Sequence, residues 1–372
     1  MKYWRGFLVA GIISACTWGF TTFAKSHRVL VDMIFPYVSR MITGGTADWS
    51  AAVPFCLWQA LLIFGILACA TLIVLAVILK WNILRVSGWI AAAVSVVVFF
   101  NVGIFGINEY AGPLADDIHL KVTSYEISEL EDAAEYYLDE AIKALGALPS
   151  DAAVGSGHIP ADFDALAKQA GDGFHSLVYD KKMSVFAGST VPVKKLGWAG
   201  YYTGKGVTGK TVSLTGEAAV NPNVPSILLP YAMCHEMAHR MSIASDRDAN
   251  FTAFLACTNN RDPYFVYSGY LNAYRYCLKA LQSYNSDAAK SAVAGLKQKQ
   301  GNLFDGDLSA IDGFYKKTED VTDFRSNVQL LVSWYIQEIY LPQYVGEEET
   351  PKFDPMDEEQ VDLGGYVNGP KN

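Results

Sequence analysis

The chain has 372 residues, room for one sizeable soluble domain plus a membrane portion, and 51% of them are hydrophobic. Positions 1–108 carry seven basic and two acidic residues, a local charge of +5; with −9 overall, everything after them is −14. A soluble portion this acidic excludes nucleic acid as a partner, because phosphate binding needs a basic surface.

Three apolar runs come first, at residues 6–24, 54–79 and 86–108, and none contains a charge. Each meets the ~20 residues needed to cross the hydrocarbon core, so three transmembrane helices are expected within a membrane domain of residues 1–110. Lys2 and Arg5 before the first span, with Lys80 and Arg85 between the second and third, set the orientation. By the positive-inside rule the N-terminus is cytoplasmic and the C-terminal portion extracytoplasmic. A first run cleaved as a signal peptide would leave that side unchanged. The spans hold no internal ionisable residue, which disfavours a transporter or channel. Between the first two spans, residues 29–42 mix Ile34, Phe35, Tyr37, Val38, Met41 and Ile42 with polar residues. This stretch either lies in the membrane interface, caps the soluble domain, or simply connects.

The soluble domain is expected over residues 111–345. Residues 124–145 keep apolar positions at three-four spacing and predict a helix; residues 162–170 predict a shorter one. A glycine-rich, aromatic stretch follows at 196–216, within which residues 211–215 alternate like a half-buried strand. Residues 217–221 continue that strand until Pro222 and Pro225 stop it. Pro230 opens a helix through residue 242, and a second starts near Ser245. After Asp262-Pro263 the chain is helical over 267–284 and mostly helical to Tyr340; the acidic, proline-containing tail 346–372 is expected to be poorly ordered. The fold class is α+β with helices predominating. The six cysteines show no C-x-x-C spacing, which argues against a cysteine-based metal or redox site.

Chemistry concentrates in Cys234-His235-Glu236-Met237-Ala238-His239, which contains H-E-x-x-H. Positions i and i+4 of a helix share a face, so both imidazoles can reach one zinc ion. Glu236, one residue round the helix, is placed to act as general base on a water that zinc has made acidic. A catalytic zinc needs a third protein ligand. Asp246, near the start of the next helix, is the leading candidate and Asp248, on another face, the runner-up. Asn250, one turn beyond Asp246, would steady a histidine from behind. The same acids would also complement the dipole of a helix capped by Ser245. Tyr264, Tyr267, Tyr270 and Tyr274 could supply an oxyanion stabiliser, though their spacing equally describes a buried helical stripe. His119, His158 and His175 have no partner spacing.

H-E-M-A-H, followed by D-x-D-A-N-F at 246–251, Asp262-Pro263-Tyr264-Phe265 and Tyr267-Ser268-Gly269-Tyr270-Leu271-Asn272-Ala273, resembles an uncharacterised bacterial family. Its members are multi-span membrane proteins with an extracytoplasmic zincin-like domain, known only as a domain of unknown function. The G-E-A-x-V-N segment at 216–221 fits the same family, and the resemblance fades after Tyr340. More distantly the pattern looks like gluzincins, whose third ligand is a Glu three residues before Ala-Asp or Ala-Asn; counting back from Ala249 assigns that role to Asp246, one methylene shorter. The resemblance implies a membrane-anchored zinc metallopeptidase acting on peptide or protein substrates. The alternative is a catalytically weak zincin-like sensor or binding module of the cell envelope, which the Asp at 246 favours. Because zincins lay an edge strand beside the metal helix, Glu217 and Asn221 are expected to contact substrate.

Overall fold

The computed structural model describes residues 3–149, 162–316 and 321–344. The expected tail and His158 lie outside them. Three helices are long and apolar enough to cross a membrane: α1 (Arg5–Ser26), α3 (Leu57–Ile78) and a continuous stretch Ile83–Tyr110. That last stretch begins as α4 (Ile83–Val98), widens into a π-helical turn at Phe99–Phe105 and ends as a 3-10 turn at Gly106–Tyr110. α1 and α4 cross at Gly6 and Gly88, where a Cβ on Gly6 would lie 2.3 Å from the Gly88 carbonyl carbon. Small residues permit that backbone approach. α3 is almost bare of protein neighbours, as a lipid-facing helix would be.

The segment between the first two apolar helices is itself a helix, α2 (Arg28–Ser50), one face of which meets the C-terminal helical domain. Val31 and Phe35 in its first half pack on α1 and the end of the third apolar helix, while Thr43 and Ala47 in its second half meet the domain that follows, so one face of the helix caps that domain. Its buried face is small and mostly polar, with Ser39, Thr43, Ala47 and Ser50. Arg40 Nε donates to the Met241 carbonyl at 3.2 Å, and Ser189 Oγ donates to Asp48 at 2.6 Å. Gly216 sits so close to α2 that a Cβ there would be 2.2 Å from the Thr43 carbonyl oxygen. Its φ of 65° is the left-handed turn conformation that glycine adopts without steric cost.

The remaining long helices are α5 (Ile127–Gly146), α6 (Phe163–Tyr179), α7 (Leu229–Arg240), α8 (Asp246–Thr258), α9 (Pro263–Gln282), α10 (Asp287–Gln300), α11 (Asp305–Tyr315) and α12 (Val321–Trp334), with single short turns of helix at Leu114–Asp117 and Ala199–Thr203. α5 follows its predicted periodicity and starts with a capping box in which Glu126 and Glu129 satisfy each other's backbone N–H groups. α8 and α9 lie at the centre of one large core with α5, α6, α7 and α12 around them. Gly173 of α6 permits the approach to α8, since a Cβ there would fall 1.9 Å from the Ala256 carbonyl oxygen.

The sheet is small, with β1 (Lys194–Lys195), β2 (Gly209–Val212) and β3 (Glu217–Val220) in the order β1-β3-β2. β1 runs parallel to β3 and β2 antiparallel to it. The expected single strand over 211–221 is therefore a hairpin: the chain turns at 213–216 and returns. β3 is the central strand and β2 the open edge.

Candidate metal centre

The H-E-x-x-H run lies on α7, where Pro230 occupies the first turn and costs no hydrogen bond. Almost every α7 side chain is buried; His235 and His239 remain half-buried because their shared face lines a cleft. Their Nε2 atoms are 3.1 Å apart. A tight connection follows, reversed at Ser242 with φ 69°. Ser245 then caps α8 by accepting the Asp248 N–H. Asp246 is the first residue of α8 and reaches back, its Oδ1 lying 3.2 Å from His239 Nε2 and 3.8 Å from His235 Nε2.

The donor set fits a divalent cation. His239 Nδ1 donates to the Ile243 carbonyl at 2.7 Å, which leaves Nε2 with its lone pair toward the centre. The Asn250 side chain stands against His235, and Nδ1 is the ring nitrogen left to meet it. Two imidazole lone pairs and a carboxylate oxygen thus converge. A single proton satisfies that trio only as a bifurcated bond, whereas a cation satisfies all three. The three donor atoms stand 3.1, 3.2 and 3.8 Å apart, within reach of a single cation. Burial, and then the neighbouring His239, lowers His235 to about 3. Burial opposes charge on His239 too, but the Asp246 hydrogen bond and Glu236 outweigh it, so His239 is raised.

Glu236 is buried and faces β2. Thr211 Oγ1 donates to its Oε2 at 2.7 Å and bridges to its backbone carbonyl at 2.8 Å. Gly209, two residues earlier on the same face of β2, leaves the space the carboxylate occupies: a Cβ there would lie 2.5 Å from Glu236 Cγ and 2.6 Å from Oε1. Burial pushes Glu236 up, against the opposing pull of His239 and Thr211. Arg240, also buried, donates from Nε to the Gly216 carbonyl at 3.0 Å and from its guanidinium to the Val191 carbonyl, tying the hairpin to the metal helix. Gly209, Thr211 and Arg240 were not assigned roles from the sequence. The alternation at 211–215 beside an H-E-x-x-H helix is the signal that points to Thr211; nothing local marks Gly209 or Arg240.

Other expectations are corrected. Asp248 is turned away from the histidines, accepting Leu114 N–H at 3.4 Å and pairing with Arg247 at 3.4 Å. Glu217 does not face the cleft. Its carboxylate accepts the N–H groups of Leu57 and Trp58 at 2.7 and 2.8 Å and pairs with Lys194 at 2.6 Å. Asn221 is fully buried and holds the preceding loop through Thr203 Oγ1 and the Val207 carbonyl. Both side chains share the face of β3 on which Ala219 packs against Cys56 and Leu196, and as the inner strand β3 has no free backbone edge for a peptide. Asn250 does stand behind His235, and its Nδ2 donates to Asn327 at 3.0 Å. Tyr267 and Tyr274 are core residues bonded to Asp307 and Gln300, and Tyr270 packs against Tyr136. Tyr276 and Tyr315 line the cleft instead.

The cleft has a volume of about 750 Å³. It is lined by α7 and the edge strand β2, and also by Asn101, Phe105 and Gly106 from the end of the third apolar helix.

Over residues 31–331 the chain matches the family described as "Protein of unknown function (DUF3810)". No curated protein and no solved structure gives a significant match.

Proposed function

The chain belongs to the DUF3810 family, of unknown function, and from that premise we propose that it is a membrane-anchored, zinc-dependent peptidase with a zincin-like site of the gluzincin kind. The observation that carries this reading is the convergence of His235 Nε2, His239 Nε2 and Asp246 Oδ1 within 4.8 Å of one another, beside a buried glutamate on a cleft. His235, His239 and Asp246 would hold the ion. When bound, zinc supplies Lewis acidity, polarising a carbonyl and making water a nucleophile at neutral pH.

The chain's own residues do the rest. Ile243 and Asn250 fix the two imidazoles in the tautomers that turn Nε2 to the centre. Thr211 holds the Glu236 carboxylate in one orientation. Burial moves that carboxyl toward neutrality, which suits a group that first takes a proton from water and then delivers it to the leaving amine. Thr208 accepts the Asn221 N–H at 2.7 Å, so by antiparallel alternation Gly209 and Thr211 turn their backbone N–H and C=O outward. An extended peptide can pair there, replacing Glu217–Asn221 as the expected substrate contact. The bias of Lys2, Arg5, Lys80 and Arg85 supports an extracytoplasmic position for the site.

Zinc analysis of the full-length protein in detergent, with a peptide-cleavage assay on wild type and Glu236→Ala, tests the reading. Near-stoichiometric zinc abolished by His239→Ala, and cleavage abolished by Glu236→Ala, are the expected results. Wild type without zinc sinks the reading. Zinc without hydrolysis of any peptide favours the sensor or binding module, for which a shorter Asp at 246 is the supporting feature.

A further inference from the structure

We infer that the substrate is a membrane-anchored polypeptide, cut in the segment just outside the bilayer, rather than a freely diffusing peptide. The inference rests on the peptidase reading above and adds the substrate class. It comes from where the cleft stands relative to the spans.

The third apolar helix is 28 residues long, Ile83–Tyr110. Crossing the hydrocarbon core takes about 20 residues, so residues from about 103 onward lie at the interface. Phe105, Gly106, Asn108 and Glu109 from that emergent end line the cleft that holds His235, Glu236 and His239. A second span gives the same depth independently. The first N–H groups of α3, at Leu57 and Trp58, are capped by Glu217 of β3. β2 pairs with β3 at Val212–Glu217, one strand spacing of about 4.8 Å away. The strand that can pair with substrate is thus about one strand width from the end of a transmembrane helix.

The surface near the outer ends of the spans has the chemistry of an interface. Gln59 of α3 exchanges hydrogen bonds with Gly197, accepting its N–H at 2.9 Å and donating to its carbonyl at 3.2 Å. The segment that follows, with the short helix Ala199–Thr203 ahead of β2, exposes Trp198 and Tyr201. Amphipathic aromatics of this kind belong at the headgroup level. On α2 the large apolar residues Val29, Met33, Tyr37 and Met41 form an exposed stripe, between 65 and 76% accessible, while its small polar face packs on the domain. An apolar stripe turned outward next to three spans is satisfied by lipid.

A polypeptide whose anchor stands in the lipid beside α2 and the third span would leave the bilayer into this cleft. Its first extended residues would meet the outward N–H and C=O groups of Gly209 and Thr211. Hydrolysis there breaks one C–N bond; water supplies hydroxyl to the carbonyl carbon and a proton to the amine, with no other co-reactant.

The test uses the full-length protein in lipid vesicles and a pool of peptides sharing a randomised segment, presented either on a hydrophobic helical anchor or free in solution. A third pool moves the segment away from the anchor on a long Gly-Ser spacer. We expect anchored peptides to be cut at least about tenfold faster. Cut sites should stay at a fixed distance from the anchor even in the spacer pool, and Glu236→Gln should give no product. On that inactive background, a photo-cross-linking residue in place of Lys210 should capture anchored peptides and not free ones. Equal cutting of free and anchored pools, or cut sites that travel outward with the randomised segment, would overturn the inference and leave the peptidase reading standing. No product from any pool by zinc-loaded protein would overturn both.

Discussion

Glu217 on β3 accepts the backbone N–H of Leu57 at 2.7 Å, so a residue of the sheet caps one of the three helices long and apolar enough to cross a membrane. The same carboxylate holds Trp58 N–H and the Lys194 ammonium, and Lys194 also donates to the Ser50 and Phe55 carbonyls. Removing one partner of a buried ion pair leaves the other charge uncompensated, at a cost of about 3–5 kcal/mol. Glu217→Ala is expected to destabilise by that order, seen as a lowered unfolding temperature in detergent. Glu217→Gln keeps an acceptor for the helix N–H groups and should cost less. In whatever fraction folds, zinc content should equal wild type. An unaltered unfolding temperature in Glu217→Ala would remove the cap from the account.

The two acids at the start of α8 are expected to separate cleanly. Asp246→Ala removes the oxygen nearest both Nε2 atoms, and zinc per chain should fall sharply, as it should for His239→Ala. Asp248→Ala removes the acceptor of Leu114 N–H and the partner of Arg247. It should keep its zinc and lose about 1–3 kcal/mol of stability instead. Metal analysis after dialysis and thermal melts of both variants decide; zinc lost with Asp248 and kept with Asp246 would reverse the assignment.

How much of this was legible beforehand depends on the range of the interactions. The three apolar helices, α5, and the i, i+4 placement of His235 and His239 are set by periodicity within one segment, and the structure follows that reading. Asp246 over Asp248 is a matter of helix phase, fixed once Ser245 is the cap. Glu217 and Asn221 misled because residues 211–221 alternate smoothly, and alternation does not reveal that Gly216 reverses the chain. Which leg of a hairpin becomes the inner strand is decided by pairing with β1, some twenty residues upstream. For α2 the sequence left interface, cap and plain connection open, and only the close seat of Gly216 against Thr43 and Ala47 shows which of its faces meets the domain.

Thr211 and Gly209 should affect hydrolysis without affecting metal. Thr211→Val removes the hydroxyl that holds Glu236 at 2.7 Å in a nearly isosteric side chain. The loss of one hydrogen bond to a charged group, about 1.5 kcal/mol, predicts roughly tenfold lower kcat/KM. Gly209→Ala places a Cβ 2.5 Å from Glu236 Cγ and 2.7 Å from the Ala219 carbonyl oxygen, so carboxylate and strand must both shift. A displacement of this size at a catalytic group predicts a loss on the order of 100-fold. Both variants should titrate with zinc like wild type. Full activity in Gly209→Ala would mean that Glu236 is not the base.

Asn250 is expected to act on the metal through His235. Its Nδ2 is committed to Asn327 Oδ1 at 3.0 Å, which turns Oδ1 toward the imidazole. An acceptor there fixes the tautomer and raises the basicity of Nε2, and loss of such a partner typically weakens metal binding 10–100-fold. Asn250→Leu should therefore raise the zinc Kd by about that factor in competition with a chromophoric chelator. Asn250→Asp keeps an acceptor at the same reach and should bind zinc at least as tightly as wild type. The pair distinguishes orientation from packing: a side chain that only filled space would be replaced more faithfully by Leu than its loss of affinity would allow. Equal Kd for Leu and wild type would leave Asn250 with a packing role and His235 without a partner behind it.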